Sequence, residues 1–384
     1  MSQILLYLPG NTRHSNVPAA KLRAYIENIR QWLAVLRAAG FPVSISFQRD
    51  DLDVFALTEG DFEGLELLSA PGNHFLPSRF EKHPRLADHA RWLLQDNRVH
   101  GNVPGYFLPE FDIPRTNILP PGLQILFALP GHTLAYSEVG IGDVERASAL
   151  ENYKAVWFHD KLVVPMLGVK PMQDAFFYWQ RFRTQENLDK LLTEIRKVAE
   201  DGRDDVLVFF LDLEAPLVGS HHGLAIWEEL FAAIRNSDLA QHFIGFNEAV
   251  KIWQSQAVKI EGSTWTLFAR NLGAKWTGLQ PQLDYMDRVG LVQAPVNRWH
   301  HQVLAQSTTS DPLSAWDRKL RGPITITADQ GPIQIGYNQG IIDIALLSLA
   351  AYQEGRHALR RHYQSIVDED TRWLALRIAD SIER

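Results

Sequence analysis

VLVFFLDLEAPLVG, residues 206–219, is an unbroken apolar run that ends in two carboxylates and a proline. Val206 to Leu211 is β-branched, aliphatic and aromatic, too short for a typical helix and without the alternation of a half-exposed strand. It reads as a parallel strand buried on both faces. An unpaired carboxylate is costly to bury, so Asp212 and Glu214 belong at a solvent-filled mouth or beside a partner. The carboxyl ends of parallel strands are where α/β proteins place their sites. The stretch therefore predicts both a parallel sheet and a site at the end of this strand.

Working outward, strand patterns alternate with helical ones through the first two-thirds of the chain. Residues 4–8 read as a strand. Leu22, Tyr25, Ile26, Ile29, Trp32, Leu33 and Leu36 recur at helical spacing over residues 19–39, which stop at Gly40, and residues 42–47 read as the next strand. Further strands are expected over 65–70, 105–110, 123–129, 154–165 and 206–213, with helices over 85–94, 185–198 and 224–234. Roughly seven strands in βαβ order fit an open doubly wound sheet and a closed barrel alike. No GxGxxG or GxxxxGK fingerprint follows the first strand, which argues against a nucleotide site. Beyond residue 255 the pattern changes: residues 259–269 read as a hairpin or loop, 341–352 as a buried helix and 368–382 as an amphipathic one. The expected organisation is a barrel over residues 1–255 and a mostly helical region over 256–384.

Composition narrows the function classes. The chain has 384 residues, 46% hydrophobic and 22% charged, with a net charge of −7, which offers nucleic acid no basic footprint. Cysteine is absent, which removes disulfides, thiolate metal sites and cysteine nucleophiles. No stretch approaches the roughly 18 apolar residues of a membrane span, and MSQILLYLPGNTRH lacks the basic start and the length of a signal peptide. A cytoplasmic protein with neither nucleic-acid nor membrane partner is expected.

Four stretches repeat one form, an apolar strand followed by a Pro or Gly turn bearing an acid, amide or histidine: LYLPGNTRHSN, LLSAPGNHFLPSRF, GYFLPEFDIP and FFLDLEAPLVG. In a parallel sheet such turns lie on one face. His14, Asn73, His74, Glu110, Asp212 and Glu214 are thus expected to converge as a set, although any one of them alone reads more readily as an ordinary loop residue. Trp157, Phe176, Phe177, Tyr178, Trp179 and Phe182 form an aromatic cluster, read either as rings along a carbohydrate cleft, with Trp179 among them, or as core.

GYFLPEFDIP resembles the nucleophile motif of the family 57 glycoside hydrolases, with Phe107 where a tryptophan is usual. FFLDLEAPLVG resembles the family's acid/base motif, and ELLSAPGNHFLP its Thr-His-Gly-Phe-Leu-Pro turn with one residue fewer. Order and rough spacing match, and a helical C-terminal region is a family habit. The resemblance implies a distorted seven-stranded β/α barrel. It implies a retaining glycoside hydrolase or glycan transferase acting on a polysaccharide or oligosaccharide, α-glucan included, with neither metal nor cofactor. Glu110 would be the nucleophile and Asp212 the acid/base, with His74 and Glu214 binding or orienting the sugar and Phe107 beside them. In this chemistry one carboxylate attacks while the other arrives protonated. Burial beside an ionised partner is the expected means of raising the acid's pKa.

The chain departs from the family at its first motif. Where imidazoles are usual at the end of the first strand it has Leu6-Tyr7-Leu8-Pro9-Gly10-Asn11, so Asn11, Arg13 and His14 would rebuild that part of the site. Competing readings are a metal-dependent deacetylase-like enzyme on a related barrel, with Asp212 and histidines as ligands, and a glycan-binding relative without catalysis. His221-His222 and His300-His301 are weak metal candidates because adjacent histidines point differently. His159-Asp160 reads as a strand end or a hairpin turn.

Overall fold

The structure, a computed structural model, describes residues 2–77, 85–95, 101–114, 118–122, 124–128, 132–135, 155–158, 160–166, 169–201, 205–260, 266–269 and 279–384. Its strands are β1 (Gln3–Gly10), β2 (Ser44–Phe47), β3 (Glu66–Leu68), β4 (Gly105–Tyr106), β5 (Gln124–Ala128), β6 (His132–Ala135), β7 (Val156–Phe158), β8 (Lys161–Pro165), β9 (Val206–Phe210), β10 (Val258–Ile260), β11 (Thr266–Ala269), β12 (Ile324–Ile326) and β13 (Ile333–Ile335). One parallel sheet has the order β3-β2-β1-β9, and a second runs β10-β7-β8-β5-β4. The two join just past β3: Phe107 N–H donates to the Ser69 carbonyl at 2.7 Å and Ser69 N–H to the Gly105 carbonyl at 2.9 Å.

Seven parallel strands therefore follow one another in the order β9-β1-β2-β3-β4-β5-β8. Among the described residues no strand pairing links β8 to β9. Instead the Gln173 carboxamide, on the helix Val169–Phe182, donates to the Phe210 carbonyl of β9 at 2.7 Å. The expected class, α/β with parallel strands and a helical C-terminal region, is the one observed.

The unbroken apolar run of β9 follows directly from the packing. Val206 and Val208 join Leu5, Tyr7, Ile125, Phe127, Leu162 and Val164 in an inner core between the strands. Phe209, Leu211 and Leu213 face the other way, into the layer between strands and helices. Successive side chains on a strand point to opposite faces, so both must be apolar when both are covered. β1 behaves identically, with Leu5 and Tyr7 inward and Ile4, Leu6 and Leu8 outward. At its end, a Cβ on Gly10 would lie 2.1 Å from the Phe47 ring, so only glycine fits there.

Several elements differ from their expected bounds. The helix foreseen over 19–39 is two helices, Ala19–Glu27 and Ile29–Arg37, because Asn28 leaves helical geometry and its side chain donates back to the Ala24 carbonyl at 2.7 Å. The strand foreseen over 105–110 ends at Tyr106, since Pro109 starts a tight 3₁₀ turn, Pro109–Phe111. The region 154–165 is an antiparallel hairpin of β7 and β8; Asp160 lies in its turn and pairs with Lys161 at 2.9 Å, while His159 lies outside the described residues. β11 pairs antiparallel with β6, whereas residues 261–265 of the expected hairpin lie outside the described residues. β10, just past residue 255, pairs with β7.

The C-terminal helices Gln339–Glu354 and Glu369–Glu383 contribute Ile344, Leu349, Leu374 and Ile378 to the same core layer as Ile4 and Leu6. Among the described residues no helix is long and apolar enough to cross a membrane.

Candidate active site

The carboxyl ends of the parallel strands and the start of one C-terminal helix enclose a cavity of about 170 Å³. It is lined by Asn11, His14, Ser15 and Asn16 after β1, Gln48 after β2, His74 after β3, Phe107, Glu110 and Phe111 after β4, and Phe210, Asp212 and Glu214 at the end of β9. Asp311 and Ser314, from the helix Asp311–Arg321, close it. Thus His14, His74, Phe107, Glu110, Asp212 and Glu214, far apart in sequence, share one cavity. A space of this size suits a ligand on the order of one sugar ring.

Glu110 sits on backbone that a non-glycine residue seldom adopts, with φ 54° and ψ 16°, and Phe111 follows at φ 55°. Two successive left-handed residues cost on the order of 1–3 kcal/mol each. The surrounding aromatic rings hold them there. Phe111 meets Phe210 edge-on at 5.1 Å and Phe107 at 6.0 Å, and Tyr7 underlies both Phe107 and Phe210 at 5.8 and 5.6 Å.

The two acids after β9 differ sharply. The Asp212 side chain is 46% exposed and faces His14 Nε2 at 3.9 Å. Glu214 is 1% exposed, and its Oε2 accepts the Asn11 backbone N–H at 3.2 Å. Burial, then the Asp212 charge beside it, pushes the Glu214 carboxyl well above the usual carboxylate range. The burial expected for Asp212 therefore falls on Glu214, because the chain turns inward at Leu213, whose N–H bonds to the Pro9 carbonyl at 2.7 Å. His14 Nδ1 accepts the Asn16 N–H at 3.2 Å, which in the neutral ring leaves the proton on Nε2, towards Asp212.

The far wall carries no signal in the sequence pattern. His74 Nδ1 lies 2.8 Å from Ser310 Oγ and 3.8 Å from Asp311 Oδ2, while Asp311 accepts from Asn11 Nδ2 at 3.3 Å and from Thr309 Oγ1 at 2.8 Å. Ser310-Asp311-Pro312 is a plain helix start, with proline just inside, and no strand pattern precedes it. Gln48 is equally silent, because β2 ends without a Pro or Gly turn.

Trp179 is not at the cavity. It is 1% exposed, packs against Phe176 at 6.2 Å and carries the Arg183 guanidinium over its face at 4.4 Å. Helical spacing in Val169–Phe182 turns Phe176 and Trp179 to the core and leaves Phe177 and Tyr178 exposed, so that cluster is chiefly packing. Arg13 is buried as well, bonded to Gln306 at 2.5 Å and paired with Asp50 at 3.5 Å, while Asn73 donates to the Ala305 carbonyl. His222 pairs with Asp329 at 2.6 Å and His301 Nδ1 lies 3.0 Å from His89 Nδ1, both away from the cavity. Among the described residues no three His, Asp or Glu side chains are grouped as a metal ion would need.

No family model matches the sequence, and no curated protein does. The fold, by contrast, matches solved structures nearly end to end. A GH57 branching enzyme from the hyperthermophilic archaeon Thermococcus kodakaraensis, solved in complex with glucose and additives, superposes with a TM-score of 0.53 at 11% identity over 98% of this chain and 94% of that one. A GH57-type branching enzyme from Pyrococcus horikoshii gives 0.52 at 10% identity over 100% and 95%. The chain thus has a GH57-like fold.

Proposed function

We propose that this protein is a glycan-processing enzyme, a retaining glycoside hydrolase or glycan transferase, with Glu110 as nucleophile and Asp212 as acid/base. The observation that carries the reading is the convergence of Glu110, Asp212, Glu214, His14 and His74 on one cavity at the strand ends of a GH57-like fold. The Glu110 carboxylate attacks the anomeric carbon, and the bond to the leaving oxygen breaks with its electron pair on that oxygen. The proton that oxygen takes comes from Asp212. Glu214 lies buried two residues on, and Asp212 is the member of the two exposed to the cavity, where a leaving oxygen can reach it. The same carboxylate then deprotonates an incoming water or sugar hydroxyl, which attacks the glycosyl-enzyme. An α-glucan is the first substrate to try, since the structures sharing the fold are branching enzymes.

The test is to incubate the protein with maltooligosaccharides and other glycans and follow products by chromatography and the anomer by NMR. Turnover with retention, lost in Glu110→Gln, supports the reading. Inversion, or turnover untouched by Glu110→Gln, overturns it.

A further inference from the structure

Gln48 stands out within the cavity wall. It is 1% exposed, yet neither its carboxamide oxygen nor its nitrogen has a hydrogen-bond partner. Asn16 Oδ1, on the same wall, is likewise buried without a partner. Buried polar groups left unpaired are costly and uncommon in folded proteins. The backbone of Gln48 is extended, with φ −67° and ψ 154°, and its carbonyl accepts from Leu52 N–H at 3.0 Å as the helix Arg49–Phe55 begins. The strain-free backbone and idle side chain mark the amide as reserved for something that enters the cavity.

The donor and acceptor inventory says what that is. Gln48 offers one acceptor and an NH₂ donor, and Asn16 Oδ1 adds an acceptor, so the ligand must both give and take hydrogen bonds. Because both ends of the Gln48 amide are unpaired, this holds whichever way the amide is turned. A carboxylate or phosphate brings no donor, and among the described residues that line the cavity there is no Lys or Arg to receive one, whereas Glu110, Asp212, Glu214 and Asp311 oppose an anion. Adjacent hydroxyl groups satisfy all three positions at once.

We infer that Gln48 is a specificity-determining residue that reads the hydroxyls of a neutral sugar unit seated in the cavity, with Asn16 accepting a further hydroxyl proton. The inference rests on the glycan reading above and sharpens it to a neutral ring, excluding uronates and phosphosugars.

Calorimetric titration of D-glucose, D-galactose, D-mannose, D-xylose and D-glucuronate into wild type and Gln48→Met tests it. At least one neutral aldose is expected to bind wild type and glucuronate to bind none. In Gln48→Met the affinity falls roughly tenfold to a hundredfold. Removing the idle amide leaves the Tm of Gln48→Met unchanged or higher. Monodeoxy analogues of the bound aldose give a second readout in wild type alone: loss at one or two adjacent positions and indifference at the others. That pattern stands even if Gln48→Met fails to fold. An aldose bound equally by both proteins, or deoxy analogues that all bind alike, overturns the role of Gln48 and leaves the glycan reading standing. Preference for glucuronate overturns the neutral-ring inference. No aldose binding by wild type removes both.

Discussion

The two walls of the cavity are built on different principles. The strand-end wall holds Glu110 and Asp212 at the ends of β4 and β9, with the Asp212 side chain nearly half exposed and ready to meet a substrate. The opposite wall, residues 309–314, is tied down: Asp311 accepts from Asn11 and Thr309, Ser310 meets His74, and Ser310 N–H bonds to the His74 carbonyl at 2.6 Å. One wall turns an acid to the cavity and the other uses its polar groups as struts. Substitutions should therefore separate, with activity lost on the first wall and stability on the second.

The largest effect belongs to the first wall. Glu110→Gln keeps the size and the left-handed backbone but removes the attacking charge, so turnover should fall by about a thousandfold or more with the urea midpoint unchanged. A large stability loss in this variant would show that Glu110 is itself a strut and would break the contrast.

Next in size is the support behind the strand-end wall, where the segments after β1 and β2 meet. Asp51 is fully buried in the helix Arg49–Phe55; Thr12 donates to its Oδ1 through both N–H, at 3.1 Å, and Oγ1, at 2.5 Å, while Oδ2 has no partner. Burial raises its pKa from 3.8 to about 6, against the pull of Arg13. The folded state thus holds this proton more tightly than the unfolded chain. The group's contribution is full below the unfolded pKa of 3.8 and is lost as the pH rises through about 6. The loss amounts to about 3 kcal/mol over that window. Asp51→Asn keeps the acceptor and has no proton to lose. Urea midpoints should show the variant more stable than wild type near pH 8, with the gap closing towards pH 4; parallel curves would place the titration elsewhere.

The same contrast accounts for which parts of the site are legible in the sequence. The strand-end wall is legible because a continuous apolar run followed by a polar turn fits little besides a parallel strand covered on both faces, and β1, β4 and β9 all carry it. Even there the pattern does not say which of two acids two residues apart is buried, since that depends on Leu213 pairing with Pro9 across strands. Asp311 leaves no such trace. Its role comes from helix packing that places residue 311 against residue 11, and nothing in a lone Ser-Asp-Pro reports a contact across the whole chain. Trp179 shows the converse error: an aromatic run suggests a cleft, but helical spacing turns half of it into the core.

Asp311→Ala, third in size, leaves the Asn11 amide without its acceptor in a buried setting and the Thr309 hydroxyl with only the His74 carbonyl at 3.1 Å, and should cost about 1–3 kcal/mol in chemical denaturation. Asp212→Asn, on the opposite wall, should stay within about 0.5 kcal/mol of wild type because its side chain is nearly half exposed. If both variants lost stability equally, the division into cavity-facing and structural groups would fail.

The smallest effect separates the walls at a single bond. Ser15, beside the strand-end wall, donates from Oγ to Ser314 Oγ at 3.1 Å, and its carbonyl accepts from Asn338 N–H at 2.8 Å. The hydroxyl pair is only partly buried, so water can replace either partner, and each single alanine variant should lose about 0.5–1 kcal/mol. The informative quantity is the coupling in the double variant. If the struts act as independent bonds, Ser15→Ala and Ser314→Ala together cost little more than either alone, and the coupling equals that one bond. If the walls dock as a unit, loosening this edge also weakens the Asn11–Asp311 contact. The double variant would then lose more than the sum of the singles, with activity falling alongside stability. The first result keeps the far wall a set of separable supports; the second makes its closure part of how the cavity holds its ligand.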